Sequence, residues 1–206
     1  MSRSNQRIVI LIISVILSLI LWAIAFGTDS GLEATIDALI WTGQLAFTAF
    51  LIPFFASPLR SLLKNDFTAT LYRWRRNSGI AYGGIQAVHL LIIIWLFMIS
   101  AEQPVDSAML VIGGLGIALV MVMLVTSFDG PTKAIGRKNW KIIHKSGFYV
   151  CSFIYFYDFV VEPILLGTMA DYALLASITL AAMILRTIVM LRVMLKPKHT
   201  RKTAAA

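Results

Sequence analysis

Residues 79–99 read GIAYGGIQAVHLLIIIWLFMI, and this stretch decides the fold. It holds no aspartate, glutamate, lysine or arginine. At a rise of ~1.5 Å per residue it is long enough for a bilayer core of ~30 Å. One ionisable side chain, His89, lies inside it. Such a group is costly to keep in a membrane, so it marks a cofactor site, a proton path or an ion path by default.

Working outward, comparable apolar stretches occur at 8–26, 38–56, 108–127, 142–163 and 172–194. The composition agrees, with 59% hydrophobic residues and a mean hydropathy of +0.83. The expected architecture is an all-α integral membrane six-helix bundle, with residues 1–206 forming a single transmembrane domain. The basic start and apolar run of the first span suggest a signal peptide, but the run is longer than the usual h-region, so an uncleaved anchor is expected. The one cysteine, Cys151, excludes an intramolecular disulfide and reads as a packing residue.

Charge orients the spans. Arg3 and Arg7 precede the first; Arg60, Lys64, Arg73, Arg75 and Arg76 lie between the second and third; Lys133, Arg137, Lys138, Lys141 and Lys145 surround the fourth connection; Arg192, Lys196, Lys198, Arg201 and Lys202 end the chain. The alternate loops carry Asp29, Glu33, Asp37, Glu102, Asp106, Glu162 and Asp171 with no basic residue among them. The positive-inside rule then places both termini in the cytoplasm, in what is expected to be a bacterial inner membrane. The net charge of +8 falls where topology requires it, so no nucleic-acid partner is expected; membrane lipid is.

Two histidines stand out. His89 follows Arg76 by 13 residues, which places it ~20 Å from those charges along a helix. Tyr82, Gln86 and His89 fall on one stripe of that helix, and Gly79, Gly83 and Gly84 nearer its start read as packing positions. His144 enters the fifth span directly from the sequence Gly136-Arg137-Lys138-Asn139-Trp140-Lys141, and Cys151, Tyr155 and Asp158 share its face better than Tyr157 does. Arg186, in the last span, can snorkel, meet a haem propionate or neutralise a carboxylate, and Asp158 favours a structural or interfacial role. His199 sits in the basic tail, which reads as solvated and lipid-facing.

The series Arg75-Arg76, His89, Thr126-Ser127, Gly136-Arg137, Trp140 and His144 resembles the ferric reductase-like transmembrane superfamily, including the haem-binding membrane subunits of periplasmic methionine sulfoxide reductase systems. The resemblance runs from about Arg73 to Tyr157. It implies b-type haem, one or two, held by histidines of the third and fifth helices. Electrons would come from a flavin reductase or the quinone pool, with FMN or quinone supplied through a partner, and pass to a redox acceptor on the outer side. His89 matches the outer-level histidine of the third helix and His144 the inner-level one of the fifth. A second histidine common 13 residues along that fifth helix is Tyr157 here, and the inner-level position of the third helix holds Arg75 or Arg76. Arg76 and Arg186 are the cations nearest in sequence to a haem propionate role.

Both histidine pairs are thus incomplete. One iron, with imidazole bonds near ~2 Å, cannot be shared across a depth of ~20 Å. Three arrangements remain: His89 opposite a Tyr157 phenolate, a five-coordinate haem on His89, or a tilted or broken helix that brings the histidines together. The different-class alternative is a haem-free small membrane protein, a carrier or assembly subunit, that keeps the fold. No Gly-rich nucleotide turn follows a strand, so the chain is not expected to bind flavin or NAD(P)H by a domain of its own. No catalytic residue is expected; the chain would serve an oxidoreductase as its electron-transfer component.

Overall fold

The structure, a computed structural model, describes residues 3–28, 31–101 and 107–195. The loop carboxylates Asp29, Glu102 and Asp106 and the tail from Lys196 through His199 to Lys202 lie outside the described residues.

Among the described residues every regular element is helical: α1 (Arg3–Thr28), α2 (Leu32–Leu62), α3 (Asp66–Ile99), α4 (Ser107–Val125), α5 (Asp129–Phe156), α6 (Glu162–Leu166) and α7 (Met169–Leu195). A π-helical segment, Tyr157–Val161, joins α5 to α6, so the two run on as one rod. Among the described residues five helical stretches are long and apolar enough to cross a membrane: Ser4–Gly27, Leu32–Leu62, Asp66–Ile99, Asp129–Leu166 and Met169–Arg192. The expected fourth span coincides with α4, whose apolar part, Leu110–Val125, is shorter than these five. Large apolar side chains point outward along the rods, Ile13 at 58% and Leu174 at 73% exposure among them. A water-soluble surface rarely tolerates so broad an apolar face, whereas lipid requires it.

α3 begins at Asp66 and carries Arg73, Arg75 and Arg76 on the same helix as His89, leaving only residues 63–65 as the turn. Asn65 starts it, with Oδ1 accepting from the Thr68 backbone N–H at 2.9 Å and Thr68 Oγ1 accepting from the Asn65 N–H at 3.4 Å, a reciprocal cap for helix-end donors. The basic run before His144 is helical as well, since α5 starts at Asp129. Its one break is Gly136, whose φ of 75° and ψ of 157° no L-residue adopts easily.

α3 is the central rod, packed against α1, α2 and α4, while α7 closes on α2 and α5. The larger core is built of rings: Phe47, Phe50 and Phe54 from α2 meet Tyr82 of α3, Tyr155 of α5 and Phe159 of the π segment. A smaller cluster joins Ala25, Ala38, Val88 and Ile92 under Trp22 and Trp41. The α1–α3 approach depends on Gly84, where a Cβ would collide with Ser14 Oγ and lie 2.9 Å from Leu11 Cδ1. Gly83 packs as closely on Leu124, but Gly79 has open space, so two of the three glycines serve close packing.

Candidate functional site

His89 projects from α3 toward α2. Its Nδ1 lies 2.8 Å from Thr42 Oγ1. The Thr42 hydroxyl proton is directed to the carbonyl of its own helix, Ala38 O, at 2.7 Å. A hydroxyl has one proton to give; with it on Ala38 O, the Nδ1–H tautomer of His89 donates to Thr42 and leaves Nε2 its lone pair. This is how a ligating histidine is usually prepared, with one nitrogen tied down and the other left as donor to a metal.

His144 uses the same device the other way round. Thr126 Oγ1 donates to Val122 O at 2.7 Å and sits 3.1 Å from His144 Nε2. With the Thr126 proton on Val122 O, the Nε2–H tautomer donates here and Nδ1, the nitrogen nearer the backbone, holds the lone pair. The ring stacks on Trp140 at 4.3 Å between centroids. His144 therefore presents its less accessible nitrogen.

The two histidines are not brought together. His144 and Gly79 line one cavity, and His89 stands ten residues beyond Gly79 on α3, ~15 Å along the axis. The helices between those levels are unbroken on the α3 side, so the tilted- or broken-helix arrangement has no support in α3. Among the described residues no group of three or more His, Cys, Asp or Glu side chains could hold a metal ion.

The remaining expected site residues fall into different settings. Tyr157 opens the π segment and is 37% exposed, whereas Tyr155 is the tyrosine that turns inward, buried and accepting from Gln86 Nε2 at 3.3 Å. Arg76 ties helices together: Nε donates to Ser127 O at 2.7 Å, and NH2 reaches Thr132 Oγ1 at 3.1 Å and Asp129 at 3.0 Å. Arg7 joins the same carboxylate at 2.7 Å. Arg186 donates to Phe54 O at 3.1 Å, its guanidinium 4.3 Å from the Phe54 ring centroid and 5.0 Å from that of Tyr149. That carbonyl is the one Pro58, four residues on and without an N–H, cannot satisfy. Arg186 thus mends a gap in the α2 ladder.

The expected inward stripe on α5 is present. Cys151 and Tyr155 are buried, and Asp158 has a buried Oδ1 with no partner. Gln86 Oε1 is buried and unpartnered as well. Between α2, α3 and α5 the space at this level is filled by rings, with Phe47 and Tyr155 centroids 5.0 Å apart, Phe47 and Phe159 4.8 Å, and Phe50 and Tyr82 5.5 Å.

These observations test the fit of a haem. His89 fits as one axial ligand, because Nε2 is free and Thr42 fixes the ring. Among the described residues no second ligand meets it: Tyr157 is at the surface and His144 belongs to another level. Sequence reasoning passed over Thr42, because nothing in the sequence links it to a histidine 47 positions away; Thr126 and Trp140 were visible only as parts of a pattern.

At the basic end, α2, α3, α5 and α7 enclose a cavity of about 310 Å³. Arg75, Arg137, Lys141, Lys145 and Arg186 line it with Arg76, Trp140 and His144, and no carboxylate does among the described residues. No protein-family model, no curated protein and no solved structure matches this chain.

Proposed function

We propose that the chain is a membrane electron-transfer subunit of the ferric reductase-like type, a six-helix bundle holding a single b-type haem through His89. The observation that carries this reading is the His89 ring, fixed by Thr42 at Nδ1 with Nε2 left as a lone pair inside a membrane-length helix. His89 would hold the haem, which would supply one-electron chemistry at a potential set by that residue and its low-dielectric surroundings. The protein's own part is to orient the imidazole, through Thr42, and to exclude water with the Trp22, Trp41 and Ile92 cluster near it.

By the positive-inside rule the basic end faces the cytoplasm of a bacterial inner membrane, with both termini on that side. A flavin reductase or membrane quinone donates there, and His89, nearer the acidic end, stands toward an acceptor outside. A haem-free member that keeps the fold, a small carrier or assembly subunit, is the second reading. The ring-filled space between α2, α3 and α5 and the outward Tyr157 favour it.

The experiment is an absorption spectrum of the detergent-purified protein, oxidised and dithionite-reduced, with a pyridine haemochrome assay. The expected result is one haem per chain, absent from His89→Ala and retained by His144→Ala. A colourless protein that haem cannot reconstitute overturns the first reading and leaves the second.

A further inference from the structure

We propose that the cavity at the basic end is a binding site for a phosphate oxyanion, filled by the headgroup of an anionic phospholipid. Six cationic side chains, Arg75, Arg76, Arg137, Lys141, Lys145 and Arg186, line one space, and among the described residues no carboxylate lines it with them. Asp129, the acid that meets Arg76, is shared with Arg7 and is not part of the wall. Five of the six cations therefore face the cavity without a carboxylate on them.

Trp140 lines the cavity beside them, its indole stacked on His144 at 4.3 Å between centroids. The cations are also held in place. Arg75 lies 4.1 Å above the Tyr72 ring and donates to Ser57 Oγ at 3.4 Å, and Arg186 is fixed on Phe54 O at 3.1 Å.

The volume, about 310 Å³, is at the small end of the ~300–1,000 Å³ common for ligand pockets. It suits a headgroup better than a whole nucleotide or a macrocycle. The wall runs from Arg137 and Lys141 down to Pro53, Gly79 and Phe148 on membrane-length helices, so the cavity lies where basic residues meet the apolar surface. Basic pockets between transmembrane helices at the cytoplasmic level are suited to such headgroups. The site stands independently of haem at His89.

The test is native mass spectrometry of the full chain in detergent, titrated with phosphatidylglycerol, with phosphatidylcholine and with inorganic phosphate, helicity and monodispersity being checked for each variant. Wild-type protein is expected to retain phosphatidylglycerol over phosphatidylcholine. Each basic residue near a membrane surface contributes roughly fivefold, so Arg137→Gln with Lys141→Gln is expected to weaken retention by about thirtyfold. Lys64→Gln, an exposed change outside the cavity, should leave retention unchanged. Equal retention of the two lipids with no binding of phosphate overturns the site, as does an equal loss in Lys64→Gln. Binding of inorganic phosphate that is lost in the double variant, without lipid preference, upholds the oxyanion site and assigns it to a soluble phosphate.

Discussion

His89 and His144 are built alike and left in opposite states. Each ring is held by a threonine whose hydroxyl proton is committed to its own helix, Thr42 to Ala38 O and Thr126 to Val122 O. At His89 the bond falls on Nδ1 and at His144 on Nε2, so the ring nitrogen left without a threonine is the outer one on one ring and the one nearer the backbone on the other. The surroundings diverge in the same way. His89 lies near an apolar cluster of Val88, Ile92, Ala38 and Ala25, whereas His144 lines a cavity crowded with cations. A neutral imidazole between two apolar helices is suited to hold a metal. One beside cations and a stacked indole is suited to complete a wall. Equal residues in equal spans thus carry unequal chemistry, and the nitrogen chosen by the neighbouring threonine makes the difference.

The largest effect expected from this contrast is all or none. His89→Ala should abolish the reduced b-type spectrum and His144→Ala should keep it at full stoichiometry, read as haem per chain. Loss in both variants would break the comparison, because His144 would then ligate despite the bond on its Nε2.

A second effect belongs to the cation-lined region. Arg186→Met leaves Phe54 O, already denied a partner by Pro58, without a donor. Because Arg186 faces a polar cavity, its charge is not stranded in wild type, and loss of the charged hydrogen bond should cost about 1.5–3 kcal/mol. Pro58→Ala restores an N–H at the position that would close the ladder, so the double variant should recover most of the loss in thermal unfolding. No recovery would mean that stacking on Phe54 and Tyr149, rather than the carbonyl, holds Arg186.

Much of this region was open to sequence reasoning in one half and closed in the other. Pro58 announces an orphan carbonyl at Phe54, but the donor comes 132 residues later on α7, and no local pattern joins the two. The stripes Tyr82–Gln86–His89 and Cys151–Tyr155–Asp158 followed from helical periodicity and are inward as expected. The start of α5 did not follow, because Lys133–Lys141 looks like a solvated connection although a helix can carry such charges on its first turns, and the apolar span alone gave no start for α3 as early as Asp66. Asn65 and Thr68 held that start in view, a cap signal three residues apart just ahead of the charges. Which histidine nitrogen is free depends on a contact between helices and is beyond any reading of one chain segment.

Thr42→Val and Thr126→Val sharpen the contrast further. Each strands a histidine N–H, at a cost of roughly 1–2 kcal/mol where nothing else can accept it. Thr42→Val should show that full cost in unfolding, since His89 does not line the polar cavity that borders His144. Thr126→Val should lose less than half as much, because His144 borders a polar cavity whose water can take the proton's place. Equal losses would mean that the cavity is closed to water.

The smallest effect is also the most salt-dependent. Asp129, whose side chain is 51% exposed, accepts from Arg7 at 2.7 Å and Arg76 at 3.0 Å and so joins α1, α3 and α5 at the basic end. Arg7 is buried, but the Asp129 carboxylate is open to water that screens the pair, so Asp129→Asn should lower the melting temperature by less than any substitution above. At ~1 M salt the screening length falls to ~3 Å, and the difference between wild type and variant should vanish. The Thr42→Val difference should be untouched by the same salt, because it comes from a neutral hydrogen bond between packed helices. A salt-sensitive Thr42→Val would mean that charge reaches His89, and the division of the molecule into an apolar histidine and a cation-flanked one would fail at its first premise.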